Sequence, residues 1–215
     1  MGFAPRAGRV YGHQLRRVAD LADRFGAGRI RTTTQQKLVI LDVAPERTDD
    51  LVEELEAEDL RVNPSSFRAG AVACTGIEFC KLAIVETKGR AAWLTSELES
   101  RIPDMDEQLR IHVNGCPNSC ARFQLADVGL MGVVLPRPDG TKSEAFTVHL
   151  GGGLGANGGF ARKVKGIRVF AEDSADYVEA LVRRYRQRRN GHASFGEFVN
   201  DLSDEELQDF AGWDR

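Results

Sequence analysis

Apolar positions recur at helical spacing along residues 12–26, where Leu15, Val18, Leu21, Ala22 and Phe25 alternate with polar and charged side chains. Spaced three and four apart, they share one helix face, and Gly26 with Gly28 stops the run. The period then changes. Leu38–Val43 is rich in branched residues and flanked by polar ones, which predicts a buried strand. Residues 46–58 predict a second helix with Leu51, Val52 and Leu55 inward, and Leu60–Val62 a short extended piece. Asn63-Pro64-Ser65-Ser66 reads as a turn or linker. Residues 1–64 therefore form a small α/β unit that looks incomplete, because a sheet needs about three strands to stand alone.

Beyond the linker, residues 81–102 predict a long helix on Leu82, Ala83, Val85, Ala92, Trp93 and Leu98, ended by Pro103. Val128–Leu135 and Phe146–Leu150 read as strands of a second α/β domain, and 174–189 as another helix. The last stretch offers Ser194 with Glu197 and Ser203 with Glu206, two capping boxes that predict short surface helices. The organisation expected is 1–64, 65–190 and a tail at 191–215.

Composition narrows the function only by exclusion. The 215 residues are 42% hydrophobic and 28% charged, with a formal net charge of −3. Nothing in that balance points to nucleic acid or an anionic membrane as partner. No apolar run approaches a membrane span, and MGFAPRAGRVYG lacks the apolar core of a signal peptide. A cytoplasmic location is the expectation. There, structural disulfides are rare and paired cysteines more often hold metal.

The chain has four cysteines, placed as Cys74-x5-Cys80 and Cys116-x3-Cys120. Gly76 permits a tight turn in the first pair. Pro117 suits the first turn of a helix in the second, whose amides would favour negative charge on the thiolates. Three readings compete: an iron–sulfur cluster on four thiolates, a structural zinc, and free core cysteines. The x5 and x3 spacings are off the usual zinc knuckles, and Gly- and Pro-bearing turns do not suit core filling.

Other segments are less specific. Arg31-Thr32-Thr33-Thr34-Gln35-Gln36-Lys37 is equipped to grip carboxylates, though a solvated hairpin would use the same residues. Gly151 to Gly155 follow a strand, but Gly151-x-Gly153-x-x-Ala156 is a weak dinucleotide pattern, and no acidic residue follows in the right context apart from Glu172 and Asp173, so NAD is rejected. Arg162, Lys163, Lys165 and Arg168 form one basic stretch, and Arg183 to Arg189 another on a helix; each is a solvated face or a dock for an acidic carrier, and the first could also contact the carboxylates of a cofactor. The four histidines share no spacing.

ACTGIEFCKLAIVETK with NGCPNSCARFQLADVGLMG resembles the paired signature of the siroheme- and 4Fe-4S-dependent nitrite/sulfite reductases. GFAPRAGRV, GRIRTTTQQKLVILDV and HLGGGLGANGGFARKVKG resemble the second half of those enzymes, in the same order. The resemblance implies an α+β fold: a ferredoxin-like half-domain (1–64), an α/β siroheme and 4Fe-4S domain (65–190) and a helical C-terminal tail (191–215). It implies that Cys74, Cys80, Cys116 and Cys120 ligate a 4Fe-4S cluster, and that Cys120 is also the axial ligand of siroheme iron and hence catalytic. Asn118 packs against the siroheme on this reading. Arg31, Thr33 and Gln36 match the R-x-T-x-x-Q stretch that contacts its carboxylates, and the glycine loop lies against siroheme or cluster.

The reaction so implied is assimilatory six-electron reduction of sulfite to sulfide or nitrite to ammonia, with ferredoxin as donor. Nitrite and sulfite stay open, and ACTGIEFC leans to sulfite. The family enzyme is an internal repeat, so the chain is expected to need a complementary N-terminal half for its distal basic residues and to lack normal activity alone. A cluster-only electron-transfer protein and a zinc-bound structural module are the alternatives.

Overall fold

The computed structural model describes residues 1–154 and 158–213. The first unit runs β1 (Gly2–Phe3), α1 (Gly12–Phe25), β2 (Ile30–Thr32), β3 (Leu38–Ile40) and α2 (Thr48–Ala57). Its sheet has the order β1-β3-β2, with antiparallel pairs and the register Phe3 opposite Leu38 and Arg31 opposite Val39. The three strands are completed by the N-terminal residues, which the hydrophobic pattern did not mark as a strand. The extended piece near Leu60 makes a single bridge, Ala4 with Arg61. Val18, Leu21, Ala22 and Phe25 of α1 and Leu51 and Leu55 of α2 close over Phe3, Leu38 and Ile40 in one core. Leu15 departs from the expected face and is exposed. Gly26 caps α1 at a position with no room for a side chain: a Cβ there would sit 2.4 Å from the Leu41 carbonyl oxygen.

The second unit runs α3 (Ser66–Gly70), β4 (Val72–Ala73), α4 (Lys88–Arg101), β5 (Ile111–Asn114), β6 (Val128–Pro136), β7 (Lys142–Leu150), β8 (Arg162–Phe170), α5 (Ser174–Arg188), α6 (Phe195–Asp201) and α7 (Asp204–Phe210). The sheet order is β4-β5-β6-β7-β8. β4, β5 and β6 are parallel, and β6, β7 and β8 form an antiparallel meander. Loops after neighbouring parallel strands emerge on the same edge of a sheet, where α/β proteins commonly bind ligands.

Three expectations change. The helix read over 81–102 begins only at Lys88, because Ile84 N–H turns to the Gly115 carbonyl at 2.8 Å instead of a helical partner. β8 was read only as a basic stretch, yet Val164 and Val169 alternate with its cations and are buried. The short helices of the tail are not superficial. Phe195, Phe198, Val199, Leu207 and Phe210 join Tyr177 and Tyr185 of α5 in the main core. Ring centroids lie 5.3 Å apart for Tyr185–Phe195 and 5.1 Å for Phe198–Phe210. Ser203 with Glu206 forms the full capping box expected, whereas Ser194 caps Glu197 N–H and the Glu197 carboxylate turns to Ala193 N–H. No helix among the described residues is long and apolar enough to cross a membrane.

Candidate cofactor site

Both cysteine pairs start at the carboxyl ends of adjacent parallel strands. Cys74 follows β4 directly, and its N–H reaches the Val113 carbonyl at 3.1 Å, extending the β4–β5 pairing by one step. The chain then turns at Gly76, whose φ of +71° suits glycine and where a Cβ would meet Thr87 Oγ1 at 2.4 Å. Cys80 N–H closes this turn on the Gly76 carbonyl at 3.0 Å. The second pair follows β5 by way of Gly115. Its N–H donates to Cys74 Sγ at 3.1 Å, so the first cysteine of one loop rests on the backbone of the other. The buried Thr87 side chain donates to the Cys74 carbonyl at 2.7 Å and lies 3.7 Å from its sulfur.

No helix opens at Pro117. Residues 115–122 are turns, with Ser119 and Arg122 at φ of 58° and 54°, followed by a short 3-10 segment at Phe123–Leu125. No helix dipole therefore acts on the thiols of this loop, contrary to the expectation from Pro117. What steadies the loop is local: Arg122 N–H to the Ser119 carbonyl at 2.7 Å, and the His112 ring to the Arg122 carbonyl at 3.0 Å. Cys116 is buried, Cys74 and Cys80 are half-buried, and Cys120 and Asn118 are exposed.

All four thiols are free of disulfides, and the set contains no nitrogen or oxygen ligand. Soft, all-thiolate donors suit zinc or iron–sulfur chemistry. A tetrahedral zinc would draw its sulfurs to within about 4 Å of one another. Among the described residues, no three His, Cys, Asp or Glu side chains are grouped to hold a single ion, so the four thiols would have to draw together around either group. Asn114, buried at the root of the second loop, has neither end of its amide satisfied. Beside the cysteines the first loop exposes Ile77, Phe79, Leu82 and Ile84, with Phe79 at 76% and Leu82 at 69%. A buried amide without a partner and an apolar shelf flanking half-buried Cys80 fit a large cofactor better than bulk water.

The polar hairpin between β2 and β3 sits against these loops. Arg122 donates to the Thr34 carbonyl. Gln36, at φ of 56°, pairs its amide with Ala73 like a strand neighbour, Nε2 to the carbonyl at 2.8 Å and Oε1 from the N–H at 3.1 Å. Both ends of Gln36 are thus engaged by protein. Arg31 and Thr33 remain exposed, although Thr33 Oγ1 accepts from Gln35 and Lys37 N–H within the turn. Lys37 Nζ donates to the Ala71 carbonyl at 3.0 Å, and Lys88 Nζ to Ala7 O at 2.7 Å and Gln36 Oε1 at 3.1 Å. Burial lowers both ammonium groups to a pKa of about 8. From the first unit Arg9 also pairs with Glu78 inside the Cys74–Cys80 loop.

Residues 66–211 match the model described as "Nitrite and sulphite reductase 4Fe-4S domain", and 1–58 match "Nitrite/Sulfite reductase ferredoxin-like half domain". The chain belongs to the nitrite and sulfite reductase family. It is 48% identical over 212 residues to "Sulfite reductase [ferredoxin] 1" of Mycolicibacterium paratuberculosis, covering 97% of this chain and 38% of that protein. To the "Assimilatory ferredoxin-dependent nitrite reductase" of Haloferax mediterranei it is 36% identical over 93% of this chain and 34% of that protein. "Structure of Mycobacterium tuberculosis NirA protein" superposes with a TM-score of 0.91 at 44% identity, covering 96% of this chain and 39% of that one. The chain thus spans well under half the length of these relatives.

Several residues around the cysteines carry no sequence signal of their own: Val85, Thr87 and Lys88 fall inside the helix expected over 81–102, and Arg122 only follows the second cysteine pair. The second basic stretch proves largely structural: Arg184 holds the Phe210 and Gly212 carbonyls at 2.8 Å, Arg186 pairs with Asp104 and Arg188 with Asp209. Of the first stretch, Arg162 bonds Asp204, while Lys163, Lys165 and Arg168 stay exposed on β8. Gly151 and Gly152 of the glycine loop pair with Asp127 and Ala126 carbonyls, and a Cβ on Gly152 would lie 2.3 Å from Gln124 O. Gly155 and Ala156 of that pattern lie outside the described residues.

Proposed function

We propose that this chain is the electron-delivering part of an assimilatory, ferredoxin-dependent nitrite/sulfite reductase. Cys74, Cys80, Cys116 and Cys120 would hold a 4Fe-4S cluster, and Cys120 would also ligate siroheme iron. The observation that carries the reading is the contact of Gly115 N–H with Cys74 Sγ, which ties the two cysteine loops into one site at the edge of the parallel strands. When bound, the cluster and siroheme supply one-electron transfer and a reducible iron for the six-electron conversion of sulfite to sulfide or nitrite to ammonia.

The chain's own residues have distinct parts in this reading. Cys120 presents its sulfur at the exposed end of the second loop, whereas Cys116 is buried. The apolar Phe79 and Leu82 would exclude water from a macrocycle face, and Asn118 would border it. Arg31 and Thr33, exposed on the hairpin, would offer donors to siroheme carboxylates. Gln36 holds that hairpin to β4. Substrate would be an oxyanion that must be bound and repeatedly protonated, which calls for cationic and proton-donating groups around it. Those are assigned to a complementary half, so residues 1–215 alone are expected to turn over neither anion.

The test is to express the chain with siroheme biosynthesis and record visible absorption, iron and labile sulfide. Four iron and four sulfide per chain with siroheme bands are expected. One zinc and no iron would replace the reading with a structural module. Iron and sulfide without siroheme would leave a cluster-only electron carrier.

A further inference from the structure

α4 opens with a charge in a costly place. Lys88 is its first residue, at the helix end where unpaired amides concentrate positive potential, so a cation there is disfavoured. It is also half-buried, which adds desolvation. Its Nζ has only neutral acceptors, the Ala7 carbonyl and Gln36 Oε1. Among the described residues no carboxylate forms an ion pair with it. Glu86, two positions away, spends both oxygens on Gly89 and Arg90 N–H, at 2.8 and 2.6 Å, and Glu78 is taken by Arg9. The neighbouring residue Thr87 is the one whose hydroxyl holds Cys74.

We propose that Lys88 is a charge-compensating residue for the cluster, its ammonium offsetting the net negative charge that the thiolates and sulfides would carry there and thereby favouring the reduced state. The inference rests on the cluster reading above. A cluster on four thiolates is anionic, and reduction adds one more negative charge. A fixed cation nearby stabilises the reduced form more than the oxidised form. Gln36 keeps the ammonium in place, since its Oε1 accepts from both Lys88 Nζ and Ala73 N–H. Ala73 is the residue before Cys74, so Gln36 links the ammonium to the chain next to that cysteine.

The experiment uses the full chain, purified anaerobically with its cluster, and an EPR-monitored redox titration. Lys88→Gln keeps a hydrogen-bond donor and removes the charge; Lys88→Arg keeps the charge. Lys88→Gln is expected to lower the reduced-to-oxidised ratio at fixed potential about tenfold, equivalent to about 59 mV for one electron. Lys88→Arg is expected to stay within about threefold of wild type. A Lys88→Gln chain with normal iron and sulfide and an unchanged ratio overturns the role of Lys88 and leaves the cluster reading standing. A wild-type chain without iron and sulfide overturns both. If Lys88→Gln fails to load the cluster, a loaded Lys88→Arg chain with wild-type potential supports charge compensation, and failure of both variants overturns it in favour of packing.

Discussion

Gly76→Ala isolates what the first cysteine turn requires, because Gly140 offers a matched control. Both glycines have positive φ, +71° and +83°. An alanine at either position costs about 1–2 kcal/mol for the left-handed backbone. At Gly140, in the β6–β7 hairpin, the new methyl meets nothing within 4 Å. At Gly76 it would lie 2.4 Å from Thr87 Oγ1 and 2.9 Å from Thr87 N. Thr87 is fully buried and cannot swing clear. Moving it breaks the hydroxyl bond to the Cys74 carbonyl, worth about 0.5–1.5 kcal/mol, and overpacks the loop by about 1–3 kcal/mol. The expected losses are about 3–6 kcal/mol for Gly76→Ala and about 1–2 kcal/mol for Gly140→Ala. Urea unfolding reads the difference as midpoints separated by about 1–2 M, taking a slope near 2 kcal/mol/M. Iron and sulfide per chain should fall with Gly76→Ala alone. Equal midpoint shifts in the two variants would refute the argument that Thr87 and Gly76 together shape the cysteine turn.

Gln36→Ala strands the N–H and carbonyl of fully buried Ala73 and should cost about 2–4 kcal/mol in urea unfolding, far more than a surface glutamine. Phe210→Ala removes a fully buried ring from the α5–α6–α7 cluster; a loss of about 3–5 kcal/mol in the same assay checks that the last helices belong to the core. Burial lowers His112 and His149 to a pKa of about 4, below the ordinary histidine value near 6.5. Between these values the unfolded chain binds more protons, so stability should be full above about pH 6.5 and fall as pH drops toward 4. His112→Gln should flatten that slope in urea midpoints measured across the range.

Long-range order was legible where one face of an element is buried. Val18, Leu21, Ala22 and Phe25 repeat at helical spacing and all enter the core, so α1 could be read within one residue. β1 and β4 could not, since each is two residues long and holds its place by pairing rather than by pattern. β8 was hidden because cations fill its exposed positions while Val164 and Val169 point inward. The false helix over 81–87 has a related cause. Leu82, Ala83 and Val85 have helical spacing, but Val85 is buried in the core while Leu82 faces out, and Ile84 bonds to Gly115 across the loop. Spacing cannot say which partner a backbone amide will choose when a second loop lies within reach.

The hairpin at Arg31–Lys37 carries the same ambiguity into the site. Residues that can grip a carboxylate, an amide with donor and acceptor and a long ammonium, are equally able to grip a backbone. Gln36 and Lys37 take the second course, on Ala73 and Ala71, while Arg31 stays in solvent. Their anchoring bears on the cysteines, because Ala73 is the residue before Cys74 and Gln36 also holds Lys88. The ferredoxin-like unit therefore contributes to the site as a clamp on β4 and α4. Arg9 on Glu78 and Arg122 on Thr34 extend that clamp to both cysteine loops. Loosening it at Gln36 should disturb Cys74 and Lys88 together, so the two units are coupled through hydrogen bonds that end one residue from a sulfur.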